Sequence, residues 1–325
     1  MNDKKIAYLI LAHQDFENLH RLINRLDYKS DFFIHIDGKI NIDELIERYK
    51  ERKNIYFIEN RLAINWAGFN MVLATNKLIK LALQTNINYS HLVLLSGGDY
   101  PIKNKEYIYD FFMKNENVEF IRAYSLNDSN CKHCENRVIR HWFFDLNISK
   151  NALVNKIYRK ILTTILIIKN KRKSVLVNNK ELDIYFGSQW WALTPSCARY
   201  ILNYIENNKE INYYFKDTFA PDEIYYHTIV FNSPYCKNTI NKGVEKYSSK
   251  WKWNNLHYLK TDTLDCNYKN KNNIVKRVFG KFNGSISPCT ESDFEEVKNS
   301  KYLYMRKVNT IESKKLLDLI DDIIL

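Results

Sequence analysis

No stretch of this 325-residue chain approaches the ~20 consecutive apolar residues that a membrane-spanning helix requires. Cysteine is sparse: of six, only Cys131 and Cys134 stand close together, and no second pair follows at zinc-knuckle spacing. A lone C-x-x-C supplies half of the four ligands of a structural zinc; His133 and His141 lie nearby, but no metal is expected. A secretory signal is missing too, because Met1-Asn-Asp-Lys-Lys5 leads at once into a strand-like run. The thiols are therefore expected to be reduced, in a cytoplasmic protein. The paired glycines of Leu95-Ser-Gly-Gly-Asp-Tyr-Pro-Ile102 fit neither the dinucleotide fingerprint nor the P-loop. They allow a tight turn close to a ligand or to another part of the backbone.

What is present is a globular composition, 45% hydrophobic, long enough for a large core. The net charge of +12 implies an anionic partner: nucleic acid, a phosphate-bearing substrate or a membrane surface. Nucleic acid is not expected, because the aromatic residues follow no RNA- or DNA-binding module. Along the chain, Ile6–Ala12 reads as a buried strand and Phe16–Leu26 as a helix, with Phe32–Asp37 a second strand. A helix near Ile42–Tyr49, a strand at Ile55–Ile58, a helix through Met71–Leu83 and a strand at His91–Leu95 follow. This alternation predicts an α/β fold with a mostly parallel, Rossmann-type sheet flanked by helices. Ligands of such sheets sit at the carboxyl ends of strands, where His13, Asp37 and the Ser96–Pro101 loop fall. Tyr185–Thr194 reads as a strand with aromatic faces, and Leu303–Val308 and the amphipathic Ile311–Ile324 close the chain.

Three segments carry alternatives. Pro221-Asp-Glu223 places two carboxylates at a helix start, where they either cap the helix or perform acid–base chemistry. Residues 149–180 combine Lys150, Lys156, Arg159, Lys160, Lys169, Lys171, Arg172 and Lys173 with the apolar run Ile161–Ile168. That pattern fits either a core helix with a solvated basic end or a helix lying in an anionic membrane interface. Trp190, Trp191, Trp251 and Trp253 are either sugar-stacking platforms or core filler.

Seven motifs in order resemble the core-2/I-branching β-1,6-N-acetylglucosaminyltransferase and peptide O-xylosyltransferase family (glycosyltransferase family 14-like). They are Ala7–His13, Phe33–Asp37, Asn65-Trp-Ala-Gly68, Leu95–Ile102, Gly187-Ser-Gln-Trp-Trp191, Pro221-Asp-Glu223 and Tyr304-Met-Arg-Lys307. They span nearly the whole chain, while the basic segment and residues 260–290 match poorly. The resemblance implies one GT-A-like domain over 1–325: a nucleotide-binding half (1–125), a variable basic insertion (126–180) and an acceptor and catalytic half (181–325). It implies an inverting transferase that moves a sugar, N-acetylglucosamine or xylose above all, from a UDP-sugar to a glycan hydroxyl without divalent metal or other cofactor. No Asp-x-Asp triplet occurs in the chain, in keeping with that expectation.

By the same resemblance Glu223 is the general base, Asp222 supports it, and Lys307 with Arg306 neutralises the diphosphate. His13, Asp37, Ser96 and Asp99 fall to the nucleotide-sugar site, and the four tryptophans to the acceptor side. A second diphosphate-binding cation is sought at Arg277 or Lys281. Eukaryotic members carry an N-terminal anchor, whereas this chain starts at the catalytic strand. A bacterial-type enzyme of surface-polysaccharide synthesis is expected, cytoplasmic, touching the inner membrane face through residues 149–176 and taking a lipid-linked glycan. The rival from another class is a non-catalytic glycan- or membrane-binding protein on a transferase scaffold.

Overall fold

The computed structural model describes residues 4–149, 151–166, 170–248, 251–260 and 287–324. The alternating run at the N-terminus forms β1 (Lys5–Ala12), α1 (Phe16–Leu26), β2 (Ser30–Ile36), α2 (Asp43–Tyr49), β3 (Ile55–Phe57), α3 (Asn70–Gln84) and β4 (Tyr89–Ser96). Short β5 (Asp99–Pro101), α4 (Lys105–Lys114), β6 (Tyr124–Ser125), α5 (Lys132–Ile139) and α6 (Ala152–Ile165) follow. Next come β7 (Ser174–Val177), β8 (Lys180–Asp183), β9 (Tyr185–Phe186), β10 (Ala192–Leu193), α7 (Pro195–Asn207), α8 (Lys209–Phe215) and α9 (Tyr225–Phe231). After β11 (His257–Leu259) and β12 (Tyr304–Arg306) the described chain ends in a helix, Lys314–Ile323.

The central sheet has the order β10-β4-β1-β2-β3, parallel except for β10. It is the mostly parallel, Rossmann-type α/β sheet that the sequence predicts. Its strands are buried on both faces, which is why they read as continuous apolar runs rather than as alternation. The period of two still sorts the side chains. Tyr8 and Ile10 face α1, α2 and α4, whereas Ala7, Leu9 and Leu11 face α3, α7 and α9. Because β1 pairs with β2 on one side and β4 on the other, the order in which strands are added reverses between β1 and β4, and such a switch point opens a crevice at the strands' carboxyl ends.

A second sheet, β11-β12-β5, crosses that crevice and sets Arg306 opposite Asp99 in its register. Asp15 ties the two together: it caps α1 at Asn18 and accepts from the Thr310 N–H at 2.7 Å and its hydroxyl at 2.8 Å. Tyr185–Thr194 is not the single strand expected. It makes β9 and β10 in different sheets, with Gly187–Trp191 looping between them.

Candidate active site

Glu223 sits at the end of a single 3-10 turn, Pro221–Glu223, and its side chain is 29% exposed. The turn begins at Ala220, whose φ of 46° is left-handed, and the Ala220 N–H donates at 3.0 Å to the carbonyl of Ala67, itself at φ 63°. Two alanines in that region store strain, which persists only where the surroundings dictate the backbone. The Glu223 N–H and carbonyl are bonded to Ala220 O and Gly187 N at 3.2 and 3.0 Å, so the turn has little freedom.

The Glu223 carboxylate is held by Arg137 of α5 through Oε2. Arg137 is 7% exposed and lies between the rings of Phe186 and Phe219, 5.2 Å from each centroid. A buried guanidinium fixed by two rings is a rigid anchor. Oε1 has no hydrogen-bond partner among the described residues. Neighbouring Asp222 is buried and makes no side-chain cap, which removes the capping reading. Burial first, and the Glu223 charge second, raise its carboxyl to about 7; the charges of Arg137 and Arg306 oppose the rise. Both arginines are thus felt at the same carboxyl.

Around this pair lies an aromatic wall. Trp142 and Phe144 pack on Phe219 at 5.2 and 5.5 Å, and Trp66, 65% exposed, meets it edge-on at 5.4 Å. Asp145 fastens the Asn65–Gly68 loop beneath Trp66 by accepting from Asn70 N at 2.7 Å and Asn65 Nδ2 at 3.2 Å. A Cβ on Gly68 would stand 2.4 Å from that carboxylate, so only glycine admits it.

The other pole lies at the crevice. Asp99 is fully buried and accepts from Ser96 N at 2.8 Å, Ser96 Oγ at 3.2 Å and Arg306 Nη1 at 2.6 Å, with His257 Nε2 at 3.3 Å. Burial alone would raise its pKa; the Arg306 charge and His257 overcome that and hold it down at about 2. Arg306 also donates to Ser96 Oγ and stacks over Trp190 at 4.1 Å. The Lys307 side chain, next along the chain, has no hydrogen bond or ion pair among the described residues, while its carbonyl accepts from Cys289 N at 2.8 Å. Its charge is felt at His13, whose pKa is lowered by burial, then Lys307, with Arg306 adding to it. Asp37 closes the group: it accepts from Lys39 N at 3.0 Å and Ile64 N at 3.3 Å, and Lys39 Nζ lies 3.6 Å away. One pole therefore offers a held carboxylate and the other a cluster of cations.

A family model of the Core-2/I-Branching enzyme matches residues 6–278. The chain belongs to that family. Xylosyltransferase 2 of Rattus norvegicus is 23% identical over 247 residues, covering 74% of this chain and 26% of its own. Xylosyltransferase oxt of Drosophila melanogaster is 21% identical over 256 residues, covering 76% and 26%. The chain thus spans about a quarter of the length of the curated relatives it matches. Among solved structures, a 4-diphosphocytidyl-2C-methyl-D-erythritol synthase covers 62% of this chain and 79% of its own at 8% identity and a TM-score of 0.31, too slight a likeness to argue from.

In this Core-2/I-Branching enzyme His13, Asp37, Ser96, Arg306 and Lys307 gather at the crevice, with Glu223 at the second pole. Asp99 corrects its expected role: with no exposed surface it cannot touch a nucleotide, and it fixes Arg306 instead. The tryptophans need correction as well. Trp191 is 1% exposed and packs on Tyr226, Trp190 is covered by Arg306, and Trp251 is buried with its Nε1 donating to Glu245. Trp253, half-buried, abuts Trp251 at 5.5 Å. Trp190, Trp191 and Trp251 are too buried to offer a ring face to a sugar, whereas Trp66 is 65% exposed.

Residues 126–180, expected as a basic insertion, supply Arg137, the Trp142 and Phe144 part of the aromatic wall, and Asp145. Its Lys171 is buried against Asp217 and Thr218, and Lys173 pairs with Glu135. Arg277, Lys281, Lys150 and Lys169 lie outside the described residues. Among the described residues no helix is long and apolar enough to cross a membrane, and no three His, Cys, Asp or Glu side chains cluster as metal ligands.

Proposed function

We propose that the chain transfers a sugar from a UDP-sugar to a hydroxyl of a glycan acceptor with inversion at the anomeric carbon, N-acetylglucosamine and xylose being the sugars favoured. The observation that carries this reading is the pairing of a carboxylate anchored by a buried arginine with a cation cluster at the sheet's crevice. Glu223 takes the acceptor hydroxyl's proton on Oε1 as that oxygen attacks the anomeric carbon from the face opposite the diphosphate. A bond forms to the acceptor oxygen as the bond to the phosphate oxygen breaks, and UDP leaves with the electron pair. A positioned base contributes about 10²–10⁴-fold to such a step.

The charge developing on UDP falls to Lys307, which no carboxylate neutralises among the described residues, with Arg306 held beside it. These cations do the work that a bound divalent ion would otherwise do. In this reading Asp37, just after β2, serves the uridine or ribose, and exposed Trp66 supports an assignment to the acceptor sugar. The test is UDP calorimetry on Lys307→Ala. About a tenfold loss of affinity or more is expected for removing a charged contact; unchanged affinity refutes the phosphate assignment.

A further inference from the structure

Helix α6 is turned inside out for a helix in contact with water. Over its first half the inward row is polar, with half-buried Leu162 and Leu166 continuing it. Buried Asn155 accepts from the N–H groups of Ile148 and Ser149 at 2.9 Å and donates to Ser149 O at 2.7 Å, and Arg159 Nε donates to Leu146 O at 2.8 Å. Its outward row is apolar: Leu153, Ile157, Ile161 and Ile165, four apart, are 50–66% exposed. An amphipathic helix ordinarily turns that stripe to the core. A contiguous stripe of large apolar side chains left outside marks a contact surface.

Charge selects the occupant. From Leu146 to Lys180 the sequence has no aspartate or glutamate and nine lysines and arginines (150, 156, 159, 160, 169, 171, 172, 173, 180). Lys156 and Lys160, both exposed, border the stripe on its polar flank. A second copy of the chain would set two such basic faces against each other. An anionic bilayer instead satisfies both features, taking the stripe into its acyl boundary and the lysines among its phosphates. In sequence the helix follows soon after Trp142 and Phe144, which pack on Phe219, and that ring lies 5.2 Å from the Arg137 that holds Glu223.

We propose that α6 is an interfacial helix that seats the acceptor side of the protein on an anionic phospholipid surface, so that the acceptor is a lipid-linked glycan presented from that surface. The second half rests on the transferase reading; the first does not.

The experiment is flotation of the full chain with vesicles of phosphatidylcholine, with and without phosphatidylglycerol, at low and high salt. Binding to the anionic vesicles alone, reversed by salt, is expected, with at least about tenfold weaker partition for Ile157→Glu/Ile161→Glu. Both side chains point to solvent, so an unchanged melting curve is expected and verifies the fold. Equal binding to both vesicle types, or full binding by the double variant, overturns the proposal. So does a dimer that the double variant dissolves, which would make the stripe a self-contact. UDP affinity read on the same samples separates the two readings: vesicle binding lost with UDP affinity intact removes only this inference. UDP affinity lost with vesicle binding intact removes only the transferase reading.

Discussion

Glu223 and Arg137 share one carboxylate: Oε2 is held by a buried guanidinium, and it is Oε1 that the proposed function assigns to the proton transfer. Asp222, one residue earlier, is the more delicate group. Its carboxyl is raised to about 7 by burial and by the Glu223 charge, so its contribution to stability is complete below about pH 4 and is lost as the pH climbs through 7. Asp222→Asn removes the buried charge. It is expected to be more stable than the natural chain at pH 8 by about 2–4 kcal/mol, with the difference shrinking to nothing below pH ~4, as read by urea unfolding. A variant less stable at pH 8 would show that Asp222 is needed ionised. The turn that carries Glu223 was legible in the sequence because proline and a carboxylate pair mark a loop entering a helix; the role of base came from the family resemblance alone. Arg137 was not, because it comes from α5, 86 residues away, and only the fold brings it there.

The elements that build the cation pole are short, and their register decides which groups meet there. Three residues of β12 pair with three of β5, and that pairing alone sets Arg306 against Asp99. Asp99→Asn leaves Arg306 without its partner charge and Ser96 without a carboxylate. Losing one partner of a buried pair costs about 3 kcal/mol or more, and UDP affinity is expected to fall with it. Normal stability and normal UDP affinity together would refute the account of Asp99 as the fixture of Arg306. The turn joining β4 to β5 is equally constrained, since a Cβ on Gly97 would stand 2.8 Å from that of Ala12.

The first four strands and three helices were legible from apolar run and period, because a doubly covered sheet writes itself into continuous hydrophobic stretches. The Tyr185–Thr194 stretch misled for a related reason: aromatic density resembles a strand, whereas Gly187–Trp191 leaves one sheet to enter another. The same density suggested sugar platforms. The rings instead fill core and cover Arg306, and exposure, which spacing does not encode, singles out Trp66.

At the scale of the whole molecule, net charge becomes function. If the proposed donor is right, a protein of +12 attracts it before any contact forms, and the cation cluster at the crevice focuses that attraction. Added salt screens it, with a Debye length of about 10 Å at 0.1 M falling to about 3 Å at 1 M. Donor KM is therefore expected to rise several-fold between low and high salt while kcat stays nearly constant; a salt-independent KM would contradict electrostatic capture.

The central claim joins both poles, and one measurement addresses it most directly. It is UDP release from a panel of UDP-sugars in the presence of EDTA, with and without cell-envelope glycolipid, for the natural chain and for Glu223→Gln. Turnover of one donor that persists in EDTA and falls about 10²-fold or more in Glu223→Gln is the predicted result. Undiminished turnover in Glu223→Gln would contradict the account, and so would neither turnover nor UDP binding in the natural chain, which would leave a glycan- or membrane-binding protein on a transferase scaffold.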